Sequence, residues 1–474
     1  MKYFYLMEDQ GYGYKEEDIN EIVKRYEMMR INNENYFFDV AEFETIIDYY
    51  LELNDVSYAF EAAESASKQH PKSSSIQLRK AKVLIDKGRP VDALKITRFL
   101  ERIEPSNYEV FLLKGAALGM LGDLNGTRKN FDKALSVDDT EEINILLNIT
   151  GILNDLNHYD LLTTYLERLL TLEPEFTAHL YDLAYAYEKL GDNRNSIKYY
   201  RKYIEEEPFS DNAWYNLGLL YTKEGIIKKA LDAYEYAIAV NPDNFFAIFN
   251  MANIFSKEGK YKEALEAYLH YLQFEEESTE AMTYAAECYH KTGEKDKAFK
   301  MYNDAIELDP DFSEPWYGIG LLLLNDQPEK SMKYLRKAVS LKETEPEYWY
   351  YLAEAYYKCA KVKESFRALI QSININPYYD HAWFKIGKLI IEGGYYNHAA
   401  CILEKGMKVI GDVYGLRYIL ASTYLFSGEN ELFRKHFEKV LVDSSVNFEF
   451  YSTLFPDEMI DKKTQRLIKK ITKE

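Results

Sequence analysis

Residues 211–244, DNAWYNLGLLYTKEGIIKKALDAYEYAIAVNPDN, set a pattern from which the rest of the chain can be read. Trp214, Leu217, Gly218 and Tyr221 are spaced as one stripe of a helix, and Ala230, Tyr234 and Ala237 as a stripe of a second. Pro242 then stops the second helix, because proline has no N–H to give and restricts the residue before it. Moving this 34-residue frame along the chain gives repeats starting at 40, 74, 108, 143, 177, 211, 245, 279, 313, 346, 380 and 414. One residue is added before 143 and one is lost after 313. Residues 40–447 are thus expected to hold twelve repeats. All four Trp (Trp214, Trp316, Trp349 and Trp383) fall in the fourth column, and the eighth column is small, as in Ala81, Gly115, Ala184, Gly218, Ala252 and Gly320. A chance alignment would not place every Trp in one column.

Each repeat reads as two helices parted by a turn, often with a Gly such as Gly225 or Gly259. The small residue in the eighth column lets the helices approach, and the aromatic residues beside it fill the remaining space. One repeat cannot bury its own stripe, so neighbours must stack. These columns resemble the tetratricopeptide repeat (TPR), a 34-residue helix–turn–helix with the pattern W-x2-L-G-x2-Y, A-x3-F and P. The resemblance implies an all-α, right-handed TPR solenoid with helical caps. Residues 1–39 are then expected to be a tail and an N-terminal capping helix carrying Ile19, Ile22, Val23 and Tyr26. Residues 448–474 are expected to be C-terminal capping helices, the last with Lys462, Lys463, Arg466, Lys469, Lys470 and Lys473 outside its apolar stripe. The frame fits least well at Lys80 and Lys114 in the seventh column and Arg417 in the fourth.

Charge and chemistry narrow the function. Lys and Arg number 58 against 78 Asp and Glu, a net charge of −20. That argues against nucleic acid as partner, since phosphate binding needs a basic footprint. The 3 Cys cannot form a disulfide framework, and Cys288, Cys359 and Cys401 share no metal-ligand spacing. The 8 His are scattered without a metal motif, so no metal or cofactor is expected. Residues outside the array are too few and too divided for a catalytic domain, so an enzyme is not expected. No signal peptide or membrane-spanning run is evident, which leaves a cytoplasmic location by default. The 43 Tyr are far above ordinary usage and imply that Tyr has a repeated role.

In TPR arrays the first helix of each repeat lines the concave face, with columns 2, 5, 6, 9, 12 and 13 toward the groove. In this sequence column 5 reads Tyr181, Tyr215, Phe249, Thr283, Tyr317, Tyr350, Phe384 and Tyr418. Column 6 reads Asn148, Asp182, Asn216 and Asn250, and Asn253 adds a column-9 amide. Each amide offers a donor and an acceptor to an extended main chain, and rigid aromatics add contact at low entropic cost. This is similar to the Asn ladder in the TPR superhelix of O-linked N-acetylglucosamine transferase. The lysine clamp of chaperone-tail adaptors is not reproduced in any three successive repeats. Glu280, Glu287, Glu314, Glu347 and Glu354 make part of the groove acidic, which suits a basic ligand, and Lys385 and Lys388 turn the next repeat basic. The expected function is a non-catalytic scaffold or adaptor that holds a peptide or helix of a partner protein. A self-associating structural or regulatory protein, a homo-oligomer, is the alternative.

Overall fold

A computed structural model describes residues 16–32, 34–137, 140–411 and 414–441. The described residues contain helices and no strand. They fall into two compact stacks, residues 1–244 and 245–474. The proposed C-terminal capping helices of residues 448–474, and the tail before residue 16, lie outside the described residues.

The first stack opens with α1 (Glu16–Asn32), which packs on α2 (Val40–Glu52). Hairpins follow: α2 with α3 (Val56–Gln69), α4 (Ser74–Asp86) with α5 (Pro90–Ile103), and α6 (Tyr108–Met120) with α7 (Leu124–Val137). Then come α8 (Glu142–Asp155) with α9 (Tyr159–Leu172), α10 (Ala178–Lys189) with α11 (Asn193–Glu206), and α12 (Asp211–Lys223) with α13 (Ile227–Val240). The second stack pairs α14 (Phe245–Lys257) with α15 (Tyr261–Tyr271), α16 (Thr279–Thr292) with α17 (Lys295–Leu308), and α18 (Ser313–Leu323) with α19 (Pro328–Leu341). It ends with α20 (Pro346–Lys358) and α21 (Val362–Ile375), α22 (Asp380–Glu392) and α23 (Tyr396–Ile410), and α24 (Tyr414–Ser427) and α25 (Asn430–Leu441).

The turns follow from one backbone requirement. The fifteenth residue of the frame is left-handed, at Gly88, Gly122, Gly191, Gly225, Gly259, Gly293, Gly394 and Gly428. Glycine meets that need without a Cβ clash. Asn54, Asn157 and Ala360 adopt the same conformation with φ of 57°, 58° and 56°. The hairpin of α18 and α19 is one residue shorter and lacks this turn. Its second helix starts on Pro328, directly after Gln327. The starts of α2, α4, α6, α12 and α16 are capped by side chains, as where Ser210 Oγ accepts from the Ala213 amide.

Small residues in the eighth column do what close approach demands. A Cβ on Gly218 would lie 2.5 Å from the ring of Tyr234, and one on Gly115 2.4 Å from Phe131. Serine and threonine on the second helix pin the same crossing: Ser196 Oγ donates to the Ala184 carbonyl at 2.8 Å, and Thr127 Oγ1 to Gly115 at 3.1 Å. The core is a series of local clusters along each stack. One gathers Tyr26, Phe38, Phe43 and Ile46 at α1–α4, and another Leu369, Ile386, Leu403 and Ile419 at α20–α25. The irregular residues are paired. Lys80 bridges to Glu64 at 2.7 Å, and Lys114 to Glu101 at 2.5 Å. Arg417 is buried where other repeats place Trp, beside His436.

Candidate functional site

First helices of successive hairpins touch one another, α2 with α4, α4 with α6 and α6 with α8 in one stack, α16 with α18 and α22 with α24 in the other. Second helices make at most marginal contact with each other among the described residues. The first helices therefore lie on the crowded, inner side of each stack, and the groove columns can be followed there.

In the first stack, Asn148 is 4% exposed. Its Nδ2 donates to the Asn144 carbonyl at 2.8 Å, and its Oδ1 has no partner. Asp182 is half-buried, and desolvation raises its carboxyl above the ordinary range against an opposing pull from His179. Asn216 belongs to a polar knot: its Nδ2 donates to the hydroxyls of Tyr181 and Tyr200, both at 3.1 Å. Burial raises the Tyr181 hydroxyl, and the ring packs edge-on against Tyr200 and Tyr203. Tyr215 is half-buried with its ring 6.1 Å from Tyr234. Asn216 thus holds α12 to α10 and α11.

In the second stack, Phe249 packs 5.0 Å from Tyr271 and 6.2 Å from Tyr284. Asn250 Nδ2 donates to the Phe246 carbonyl one turn back, and Asn253 Oδ1 accepts from the Tyr268 hydroxyl at 2.6 Å. Further along, Tyr317 stacks on Tyr348 at 4.5 Å and meets Tyr351 at 5.8 Å. Tyr350 lies 5.1 Å from Tyr351 and 5.7 Å from Tyr379. Burial raises the Tyr317 hydroxyl, with Glu347 adding to the effect as neighbouring charge and hydrogen-bond acceptor. Phe384 packs at the edge of the α20–α25 core. Lys385 Nζ pairs with Glu354 at 2.7 Å, side chains 13% and 16% exposed, and lies 4.3 Å from the centre of the Tyr357 ring. Lys388 is half-buried on the same helix. Glu314 is paired with Lys342 at 3.0 Å. Among the described residues no cation pairs with Glu280, Glu287 or Glu347.

Column reading thus gathers Tyr181, Tyr215 and Asn216 in one stack, and Tyr317 and Tyr350 in the other. It leaves Asn148 and Asn253 tied into the fold. It missed Tyr351 and Tyr379, which complete the aromatic wall around Glu347. The signal was the aromatic run Tyr348–Tyr351 and the pair Tyr378–Tyr379. Elsewhere the chemistry is quiet. Burial pushes the Cys288 thiol up to about 12. No group of metal-ligating side chains occurs among the described residues, nor is any helix there long and apolar enough to cross a membrane. An open cavity of about 310 Å³ lies among α11, α12 and α13, lined by Arg201, Ile204, Trp214, Leu217, Tyr221 and Lys229.

Four sequence models of the tetratricopeptide repeat match, over residues 180–209, 212–244, 233–266 and 255–319. The chain is a tetratricopeptide-repeat protein of many repeats. It is accordingly a protein-interaction scaffold, in a fold that is typically non-catalytic. A comparison with curated proteins gives no match. Similar solved structures include YrrB, described as a TPR protein with an unusual peptide-binding site, at 18% identity over 39% of this chain and 95% of that one, TM-score 0.33. A tetratricopeptide repeat protein from Parabacteroides merdae ATCC 43184 is similar at 20% identity over 52% of this chain and 96% of that one, TM-score 0.42. The Cut9–Hcn1 hetero-tetramer of the APC/C is similar at 12% identity over 86% of this chain and 96% of that one, TM-score 0.42.

Proposed function

We propose that the first-helix faces hold an extended segment of a partner protein, and that the chain works as an adaptor with no reaction of its own. What supports this most is the pairing of half-exposed rings with amides on the inner sides: Tyr215 beside Asn216 in one stack, Phe249 beside Asn250 in the other. Rings give a segment apolar contact, and amides satisfy its main-chain groups, so the segment binds without a matching secondary structure. The proposed ligand-facing residues are Asp182, Tyr215 and Asn216 on the first stack and, taken separately, Phe249, Asn250, Tyr350, Lys385 and Lys388 on the second.

The test is selection of displayed random peptides on the intact chain, followed by binding of a selected peptide to two variants. Phe249→Leu combined with Asn250→Ala is expected to weaken it by about tenfold or more. Tyr236→Ala, on the exposed side of α13, is expected to leave it unchanged. Loss on Tyr236→Ala alone, or no selectable peptide, would overturn the reading.

Self-association is the second reading, favoured by Ile31 and Phe37, which are 81% and 71% exposed near the start of the first stack. It predicts a mass above 55.6 kDa by light scattering that falls on Ile31→Asp. A monomer at every concentration tested removes it.

A further inference from the structure

The inner face of the second stack carries a wall of rings around an unneutralised carboxylate. Tyr317 and Tyr351 are 5.8 Å apart, Tyr351 and Tyr350 5.1 Å, and Tyr350 and Tyr379 5.7 Å. Glu347 lies on α20 one turn before Tyr350 and Tyr351, and its charge is among those felt by Tyr317, Tyr351 and Tyr379. Glu347 is itself exposed.

The neighbouring acids divide into satisfied and open ones. Glu314 has Lys342 and Glu354 has Lys385. Glu347, and Glu280 and Glu287 on α16, have no cation within ion-pair distance among the described residues. Along α16, α18 and α20 the only basic side chains that accompany these Glu residues are His290, Lys291 and Lys358 in the last turns. Half-buried rings beside an exposed carboxylate suit a guanidinium, which is planar, stacks on rings and pairs with an acid. A neutral or acidic segment would leave Glu347 without compensation.

We propose that the face formed by Tyr317, Tyr350, Tyr351 and Tyr379 around Glu347 docks an extended, arginine-bearing segment of a partner protein. This rests on the groove reading above and names the ligand's chemistry at one place on it. One arginine stacks over the ring of Tyr351 with its guanidinium on Glu347. Further basic residues of the segment run toward Glu287 and Glu280. Lysine in the same place would keep the charge and lose the stacking.

The experiment is fluorescence anisotropy with labelled oligo-arginine and oligo-lysine peptides on the full chain at about 0.15 M salt, where long-range attraction to the acidic chain is screened. Oligo-arginine is expected to bind several-fold tighter than oligo-lysine. Glu347→Gln and Tyr351→Leu are each expected to weaken oligo-arginine by about tenfold. Tyr351→Phe keeps the ring and should stay within about twofold of the parent, which separates loss of the ring from damage to the fold. Glu235→Gln removes one charge from the exposed side of α13 and should have no effect. Equal affinity for the two peptides, or equal weakening by Glu347→Gln and Glu235→Gln, would overturn the proposal. The groove reading stands or falls separately, on whether a selected non-basic peptide is lost on Phe249→Leu with Asn250→Ala.

Discussion

The indole Nε1 of Trp214 donates to the carbonyl oxygen of Pro208 at 2.9 Å, tying the start of α12 to the turn before it. The same bond recurs from Trp316 to Pro310 at 3.0 Å and from Trp383 to Pro377 at 2.9 Å. Two sequence columns that look independent, a tryptophan and a helix-ending proline, are thus one device. The indole closes the junction between hairpins, and the proline ends the helix so that its carbonyl is free to accept.

Trp349 shows which half of the device is indispensable, for it donates to Glu343 at 2.8 Å where no proline stands. Trp349→Phe keeps the ring and removes the donor. It is expected to lower stability by about 1 kcal/mol in urea denaturation, since the freed carbonyl is partly solvated. Amides of residues 343–350 should exchange faster. Unchanged stability and exchange would mean that the indole anchors by packing alone.

Ala360 holds a left-handed turn, φ 56°, at the position where eight other turns use glycine. An L-residue there crowds its Cβ against the backbone, at about 1–2 kcal/mol, while glycine gives up about 0.5–1 kcal/mol of unfolded-state freedom. Ala360→Gly is therefore expected to raise stability by about 0.5–1 kcal/mol and the melting temperature with it. A lower melting temperature would show that the Ala360 methyl group packs well enough to offset the strain.

Asn216 spends its donor group on Tyr181 and Tyr200. Asn216→Ala leaves two hydroxyls in a half-buried place without that partner and is expected to destabilise the chain by about 1–2 kcal/mol. Asn250 Nδ2 donates within α14, to the Phe246 carbonyl, and Asn250→Ala is expected to move the melting temperature less than Asn216→Ala. Any loss of ligand on either variant is read beside its melting curve. Equal melting temperatures for the two variants would remove the distinction.

These cases show what the sequence carried. The fold was legible because a solenoid repeats one small packing problem: Gly218 under Tyr234 and Gly115 under Phe131 leave the same mark in the same columns. The inner face was legible only in part. Column spacing placed Tyr215 and Tyr350 on it, but spacing does not tell a groove amide from one that braces the fold, and Asn216, Asn253 and Asn148 all make bonds within the chain. Tyr379 lies in the turn before α22, outside any helical stripe, so periodicity could not bring it to Tyr350. Lys114 and Lys80 read as misfits because their acid partners lie on the preceding helix and obey no column rule.

Asp86, at the end of α4, has its carboxyl raised from 3.8 to about 6. Burial is the main cause; Lys82 opposes it and Asp155 reinforces it. The folded chain therefore holds this proton more tightly than the unfolded chain. Between about pH 4 and pH 6 the folded state carries more protons, so stability falls as pH rises through that window and levels off above it. The loss is of order 1–3 kcal/mol, since Asp86 keeps some contact with water. Asp86→Asn removes the ionisation and should match the parent near pH 4 while exceeding it in stability at pH 7. Urea midpoints across pH 4–7 check this, and parallel curves for parent and variant would show that Asp86 ionises in the folded chain as it does in the unfolded one.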